Sequence, residues 1–150
     1  MKYNRLITFH FFGFKYCVKE LWIWDDNFTY NKNRVEEICK GILREQLKFY
    51  WQCPNGIRAD KIDFNLLKLM KLAGCWSVAL APETGDLKNL KKINKDLTLE
   101  RVEYAAELCR KIDMFFRVFM ILGFPFDTPQ SVQNNENYIK KINPHLLTRL

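Results

Sequence analysis

Four short runs of apolar residues divide the chain and predict its strands. Each run is nearly continuous rather than alternating between apolar and polar positions, which is typical of strands buried on both faces of a parallel sheet. The fourth run is long enough for a helix, but its aromatic and β-branched residues and the closing Gly123 favour a strand. The predicted strands are 21–25, 48–53, 76–81 and 115–122.

Amphipathic helical patterns follow each of these runs, and polar residues mark where the helices begin. Asparagine, aspartate and threonine cap helices because their side-chain oxygens accept hydrogen bonds from backbone N–H groups of the first turn. Pro129 suits the first position of the last helix, and Gly74 is predicted to end the second. The predicted caps are Asn33, Asp63, Thr98 and Thr128.

This alternating order predicts an α/β fold with a parallel sheet, either doubly wound or a (β/α) barrel. No glycine-rich nucleotide-binding turn follows the first strand, which favours the barrel. A complete eight-fold barrel needs about 250 residues, whereas this chain has 150. The prediction is therefore a partial (β/α) TIM-type barrel of about four βα units, an internal fragment that is incomplete at both ends. Residues 143–150 are expected to begin a fifth strand.

The composition is that of a globular protein. Hydrophobic residues make up 48% and charged residues 27% of the chain, which argues against disorder. No apolar run reaches the roughly 18 residues of a membrane span. The apolar start of the chain contains His10 and lacks a signal-peptide cleavage site. We therefore expect a cytoplasmic protein with no membrane partner.

The five cysteines are spaced too widely for a zinc ribbon or a redox pair. Their odd number in a chain expected in the cytoplasm indicates reduced thiols. Cys39 and Cys109 fall on the apolar stripes of predicted helices, so we expect them in the core. We predict no metal ligands in this chain.

The net charge of +7 raises the alternative of a basic nucleic-acid-binding module. Lys88, Lys91, Lys92 and Lys95 form one basic segment. The basic positions as a whole are spread over several helices, which favours ordinary solvated helix faces. We therefore do not expect nucleic acid as a partner.

Acidic residues and one arginine follow the predicted strands. In parallel βα folds the site is built at the carboxyl ends of the strands. The candidates selected by this rule are Asp25, Asp26, Arg58 and Glu83. Carboxylates suit magnesium or manganese, so a divalent-metal hydrolase or lyase is one hypothesis. Structural roles are the alternative: Arg58 could pair with Asp60 or Asp63, and Glu83 could cap the next helix.

Five segments in chain order resemble the radical S-adenosylmethionine (SAM) enzymes, most closely the branch that often carries an N-terminal cobalamin-binding domain. The segments are Trp24–Thr29, Gly56–Asp60, Leu69–Cys75, Ala81–Gly85 and Ile121–Thr128. Two departures are mild: Thr84 stands in place of the usual Ser, and Asp127 in place of the usual Glu. Residues 1–17 match the family poorly, so the predicted organisation is an N-terminal segment, 1–17, and a partial radical SAM core barrel, 18–150.

The resemblance implies a reaction and its cofactors. In these enzymes a reduced 4Fe–4S cluster passes an electron to SAM, and the resulting 5′-deoxyadenosyl radical abstracts a hydrogen atom from the substrate. The barrel orients the cofactor and excludes water, so that the radical is not quenched. The substrate is expected to be a small molecule, and the branch allows cobalamin as a further cofactor of the full-length parent.

The resemblance also implies contacts for individual residues. It places Asp25 and Asp26 near the amino group of SAM or the substrate. It places Glu83 and Thr84 near the ribose or carboxylate of SAM. The turn at Gly123 and Pro125 is expected near the adenine. Arg58 becomes a candidate clamp for a carboxylate, because a guanidinium can bind one bidentately.

The cluster motif is the element of the family that this sequence lacks. Radical SAM enzymes bind the cluster through a Cys-x3-Cys-x2-Cys motif after the first strand, and the cysteines here stand at 17, 39, 53, 75 and 109. We therefore expect the chain by itself to bind no cluster, to be inactive, and to need the missing barrel segments of a longer protein. An inactive remnant is the remaining alternative.

Overall fold

The computed structural model describes residues 18–25 and 27–149. The predictions made for residues 1–17, for Asp26 and for Leu150 lie outside the described residues. The strands are β1 (Glu20–Trp22), β2 (Tyr50–Ile57), β3 (Cys75–Glu83), β4 (Phe115–Met120) and β5 (Leu146–Arg149). The α-helices are α1 (Lys32–Arg44), α2 (Phe64–Leu72), α3 (Leu87–Lys92), α4 (Leu99–Lys111) and α5 (Pro129–Ile142), with 3-10 turns at Phe28–Tyr30 and Ala59–Lys61.

The five strands are parallel and pair in chain order, β1-β2-β3-β4-β5. A doubly wound sheet would reverse its order at a switch point, whereas an unbroken order of right-handed crossovers returns each helix on the same face. The prediction of an α/β partial barrel is therefore confirmed. The fifth strand expected within residues 143–150 is formed, and it pairs with β4 from Arg117↔Leu146 to Met120↔Arg149.

Three of the four predicted side-chain caps begin their helices. Asp63, Thr98 and Thr128 each accept a hydrogen bond from the first turn of their helices. The prediction of Asn33 is wrong by two residues. Asn31 has the extended backbone of a cap and accepts a hydrogen bond from Arg34 N at 3.1 Å, so Asn33 already lies inside α1. Among the described residues no helix is long and apolar enough to cross a membrane.

The apolar core lies between the sheet and the helices. Trp51 of β2 and Phe116 of β4 are almost completely buried there, with Leu66, Leu67 and Met70 of α2. The Trp51 indole N–H donates to the Ala73 carbonyl at 2.8 Å, which satisfies the one polar group that this large side chain buries. The core also contains the predicted Cys39 and Cys109, together with Cys53 and Cys75.

We expect Gly74→Ala to test the tight turn between α2 and β3. Gly74 has φ +93°, and an added Cβ would overlap the carbonyl oxygen of Phe49. Gly123 has φ +91°, but an added Cβ there meets no atom within 4 Å. Gly123→Ala should lower the free energy of unfolding by about 1–2 kcal/mol, the cost of a left-handed backbone, and Gly74→Ala by clearly more. Urea unfolding measures both, and equal losses would contradict the clash.

Candidate functional site

A cleft of about 250 Å³ lies at the carboxyl ends of β2 and β3. Two of the predicted site residues, Arg58 and Glu83, line it. Four polar residues that the sequence did not single out for a site also line it: Asn27, Asn55, Asp60 and Asp96. Lys95, previously noted only as part of a basic segment, completes its charged wall. The cleft therefore combines both signs of charge at the edge where βα folds place their sites.

Glu83 is constrained in both its backbone and its side chain. It has φ +68°, in the left-handed region that a glutamate rarely adopts. Its Oε1 accepts a hydrogen bond from Lys95 Nζ at 2.6 Å, whereas its Oε2 is buried and has no hydrogen-bond partner within the described part of the chain. Glu83 is thus a carboxylate with one oxygen paired and the other buried without a described donor.

Lys95 reaches the cleft because the chain turns sharply after α3. Asn94 has φ +52° and donates its backbone N–H to the Lys91 carbonyl at 3.1 Å. That turn directs Lys95 back towards β3 instead of along the basic face of the helix. Sequence reasoning grouped Lys95 with the solvent-facing lysines, since spacing alone does not reveal this reversal.

The guanidinium of Arg58 is already held by a carboxylate of the chain. Its Nε and Nη2 donate to the two oxygens of Asp60 at 2.8 and 3.1 Å, and Nη2 also donates to the Asp96 carbonyl at 3.1 Å. The hydrogen bond with Asp60 raises the pKa of Arg58 and holds the pKa of Asp60 below its ordinary value. Asp60 occupies the bidentate position predicted for a ligand carboxylate, and the clamp role of Arg58 stays a prediction.

Asp25 shapes the turn after β1 and does not line the cleft. Its Oδ1 accepts from the Asn27 backbone at 2.9 Å, and its Oδ2 pairs with Arg34 at 2.8 Å. These bonds position Asn27, which does line the cleft. Its neighbour Asp26 lies outside the described residues, so the contact of either residue with the cofactor stays a prediction.

Thr84 is fully buried and anchors the end of β3 to α5. Its hydroxyl donates to Asn135 Oδ1 at 2.9 Å and accepts from the Asp86 backbone at 3.1 Å. Asn135 Oδ1 also accepts from Gly85 N at 2.6 Å, and Asn134 donates to Asp86 at 2.7 Å. The two asparagines, poor helix formers, therefore hold the rim of the sheet. A contact between Thr84 and a cofactor stays a prediction.

The glycine–proline turn after β4 is organised by Asp127. One oxygen of Asp127 accepts from the backbones of Gly123 and Phe124 at 3.0 and 2.9 Å. The other accepts from Asn89 at 2.7 Å and from Ser131 Oγ at 2.9 Å. Aspartate in place of the usual glutamate is thus long enough to fix this turn. Neither Gly123 nor Pro125 lines the cleft, and their place near adenine stays a prediction.

The described thiols do not fit a 4Fe–4S cluster. Cluster ligands are thiolates, but burial raises the pKa of Cys39, Cys53 and Cys109 to about 12. Throughout residues 18–25 and 27–149, no three His, Cys, Asp or Glu side chains are placed to hold a metal ion. Of the three carboxylates in the divalent-metal hydrolase hypothesis, Asp25 and Glu83 are each paired with a cation, and Asp26 lies outside the described residues.

Comparison with known families establishes where the chain belongs. The model of the Radical SAM superfamily matches residues 9–139. The chain is therefore a member of the radical SAM superfamily, whose enzymes carry out SAM-dependent radical chemistry. This confirms the resemblance drawn from the five sequence segments.

Two curated relatives are methyltransferases. The chain is 29% identical over 129 residues to an uncharacterized methyltransferase of Pyrococcus horikoshii, covering 86% of this chain and 28% of the relative. It is 31% identical over 112 residues to the cytidylyl-2-hydroxyethylphosphonate methyltransferase of Streptomyces wedmorensis, covering 74% and 21%. The chain thus spans between a fifth and a third of the length of these relatives.

Solved structures share the fold. Coproporphyrinogen III oxidase (HemN) of Escherichia coli, a radical SAM enzyme, superimposes with a TM-score of 0.74 at 20% identity, over 88% of this chain and 31% of that one. The radical SAM methyltransferase TsrM of Kitasatospora setae, with cobalamin and a [4Fe-4S] cluster bound, gives 0.67 at 19% identity, over 79% and 22%. These likenesses establish the barrel architecture of the chain.

We expect Asp127→Asn to loosen the glycine–proline turn. The amide can replace only one of the two accepting oxygens, so either the backbone N–H groups of Gly123 and Phe124 or the side chains of Asn89 and Ser131 lose their acceptor. Hydrogen exchange of the Gly123 and Phe124 amides should accelerate about ten-fold, the effect of losing about 1.4 kcal/mol of local protection.

The control for this change is Asp113→Asn, which removes the same charge from an exposed loop. Asp113 has φ +54°, a conformation that asparagine tolerates well. Exchange at Gly123 and Phe124 should not change in this control. Equal protection of both amides in Asp127→Asn and the parent chain would show that Asp127 does not hold the turn.

Proposed function

We propose that this chain supplies the SAM-binding part of a radical SAM enzyme, with Glu83 and Lys95 as the residues that hold SAM in the cleft. The observation that carries the proposal is the half-paired carboxylate of Glu83, whose buried Oε2 has no donor among the described residues. A ribose hydroxyl of SAM is a donor of the kind that this oxygen lacks.

Lys95 complements Glu83 as a donor that lies directly beside it. A lysine ammonium has three donors, and the only described partner of Lys95 Nζ is Glu83 Oε1. The remaining donors suit the carboxylate of SAM. The Lys95 side chain is 26% exposed, so it combines access for a ligand with reduced screening of its charge.

The neighbouring residues shape the cleft around these two. Gly56 has φ +110° at the irregular carboxyl end of β2, and it lines the cleft. The Arg58–Asp60 pair closes one side and is fixed by its two hydrogen bonds. Bound SAM supplies a 5′-deoxyadenosyl radical when it receives an electron, and the protein's part is to orient SAM and exclude water.

The cluster that delivers the electron has no ligand set among the described residues. We therefore propose that its thiolates come from polypeptide beyond these 150 residues, and that the chain alone does not cleave SAM. The methyltransferases among the relatives and structures support methyl transfer to a small molecule as the reaction of the whole enzyme, with cobalamin, which TsrM binds, as a further cofactor.

One feature of the structure argues against a nucleic-acid partner, and another supports a location in the cytoplasm. The basic segment does not form one patch, since Lys95 turns to Glu83 and Lys92 lies over the ring of Phe126 at 4.7 Å. Cys39, Cys53, Cys75 and Cys109 are free thiols, as a reducing compartment favours.

We expect Lys95→Met and Glu83→Gln to weaken SAM binding at least ten-fold, a loss of about 1.4 kcal/mol. Each change removes one charge from the cleft while keeping most of the side-chain volume. Isothermal titration of SAM into the purified chain measures the dissociation constants. The matched control is Lys91→Met, an exposed lysine of α3 that does not line the cleft, and its affinity should equal that of the parent chain. Unchanged affinity in both cleft variants would refute the proposed site.

Anaerobic reconstitution with iron and sulfide should give a colourless product. Cys39, Cys53, Cys75 and Cys109 are all buried in the apolar core. Bringing three of their thiolates together would require these side chains to leave the core, which would disrupt its close packing. Iron and sulfide analysis together with the visible spectrum measures the outcome. A brown product with stoichiometric iron and sulfide would overturn the proposal that the cluster ligands lie elsewhere.

A further inference from the structure

The face of the sheet opposite the helices carries a row of side chains that the SAM cleft does not use. Cross-strand pairing aligns Trp22, Gln52, Ser77 and Phe115 on this face. Arg117 follows Phe115 by two residues on β4 and so lies on the same face. In a barrel this face is the interior.

Hydrogen bonds connect this row into one network. Glu20 Oε1 accepts from Gln52 Nε2 at 2.7 Å and from the indole N–H groups of Trp22 and Trp76 at 3.0 and 3.1 Å. Because the amide nitrogen of Gln52 is committed to Glu20, its oxygen faces Arg117 and accepts from Nη2 at 2.7 Å. The network therefore fixes the position of the Arg117 guanidinium.

Arg117 has no direct ion pair in this network, because Gln52 stands between it and the Glu20 carboxylate. Gln52 gives it a neutral carbonyl, and within residues 18–25 and 27–149 no carboxylate lies within ion-pair distance of it. A guanidinium presents five donors in a planar fork that matches the oxygens of a carboxylate or phosphate. One described hydrogen bond uses one of these donors.

Two further polar atoms on this face of the sheet lack hydrogen-bond partners among the described residues. Arg117 Nε and Ser77 Oγ are both buried without a hydrogen bond in the described structure, and Ser77 is only 1% exposed. Ser77 is the cross-strand neighbour of Gln52, which binds Arg117. Buried donors without acceptors are costly, and an oxyanion would satisfy both an arginine and a hydroxyl donor.

We propose that Arg117 and Ser77 form an oxyanion-binding site inside the barrel, which takes a carboxylate or phosphoryl group. The site is separate from the Glu83–Lys95 cleft and selects for a negatively charged ligand. Its assignment to the substrate, rather than to another anion, rests on the proposed function, because the barrel interior is where the substrate of such an enzyme binds. The substrate class is then an anionic small molecule.

The experiment titrates the purified chain with inorganic phosphate and, separately, with succinate, which distinguishes the two sources of an oxyanion. The readouts are the Arg117 Nε–Hε resonance by NMR and the tryptophan fluorescence of the network. We expect saturable binding of at least one of the two anions. Arg117→Gln should weaken it at least ten-fold and Ser77→Ala several-fold.

The matched control is Arg101→Gln, which removes the same charge from an exposed position of α4 and should leave the affinity unchanged. Arg117→Lys keeps the charge but loses the planar fork, so it should bind more weakly than the parent chain and provides the test if Arg117→Gln does not fold. Absence of saturable binding by the parent chain, equal losses in Arg101→Gln and Arg117→Gln, or parent-like affinity in both Arg117 variants would overturn the proposal.

SAM affinity measured on the same variants separates the two proposals. Arg117→Gln should bind SAM as the parent chain does, because Arg117 does not line the cleft. Anion binding without SAM binding would refute the proposed function and leave the oxyanion site standing. SAM binding without anion binding would refute the oxyanion site and leave the proposed function standing.

Discussion

Parallel strands that pair in chain order place one constraint on this molecule, namely that each connecting helix must return on the same side of the sheet. One face is therefore covered and holds the apolar core around Trp51 and Phe116. The opposite face is free to carry Arg117 and its neutral partner Gln52. The same constraint brings the carboxyl ends of the strands to one edge, which is why Arg58 and Glu83 line a single cleft although a helix separates them in sequence.

Hydrogen bonds between side chains and backbone hold the rim in a conformation that its residues would not adopt alone. Glu83 has a left-handed backbone, and its neighbour Thr84 is fixed from α5 by Asn135. Burial alone would raise the pKa of Asp86, but hydrogen bonds from Asn89 and Asn134 lower it below the ordinary value. This carboxylate therefore remains charged at neutral pH, where it caps α3 and binds α5.

The parts of the fold that depend on local chemistry follow from the sequence, and those that depend on distant contacts do not. Asp63, Thr98 and Thr128 cap their helices as predicted, because a cap needs only the first turn beside it. Asn31 and Asn33 are equally good caps in sequence, and the backbone decides between them. At the site, Arg58 and Glu83 line the cleft while their contacts with a ligand stay predictions, and the pairing of Lys95 with Glu83 requires a turn whose direction no spacing specifies.

Two polar atoms of β3, Glu83 Oε2 and Ser77 Oγ, are buried without a hydrogen-bond partner among the described residues. Glu83 ends the strand, and Ser77 lies six residues earlier, roughly 20 Å along an extended chain. Lys95 orients Oε1 of Glu83, and Gln52 orients Nη2 of Arg117 on the neighbouring strand β4. Glu83 Oε2 and Arg117 Nε are left without a partner in the described part of the chain. A ligand that reaches either proposed site would add hydrogen bonds without breaking one of those described, which would lower the cost of ordering the site on binding. Because Glu83 Oε2 lacks a donor and Ser77 Oγ lacks an acceptor in the described structure, the two sites that we propose call for ligands of different chemistry: one that donates hydrogen bonds at the rim and one that accepts them in the interior.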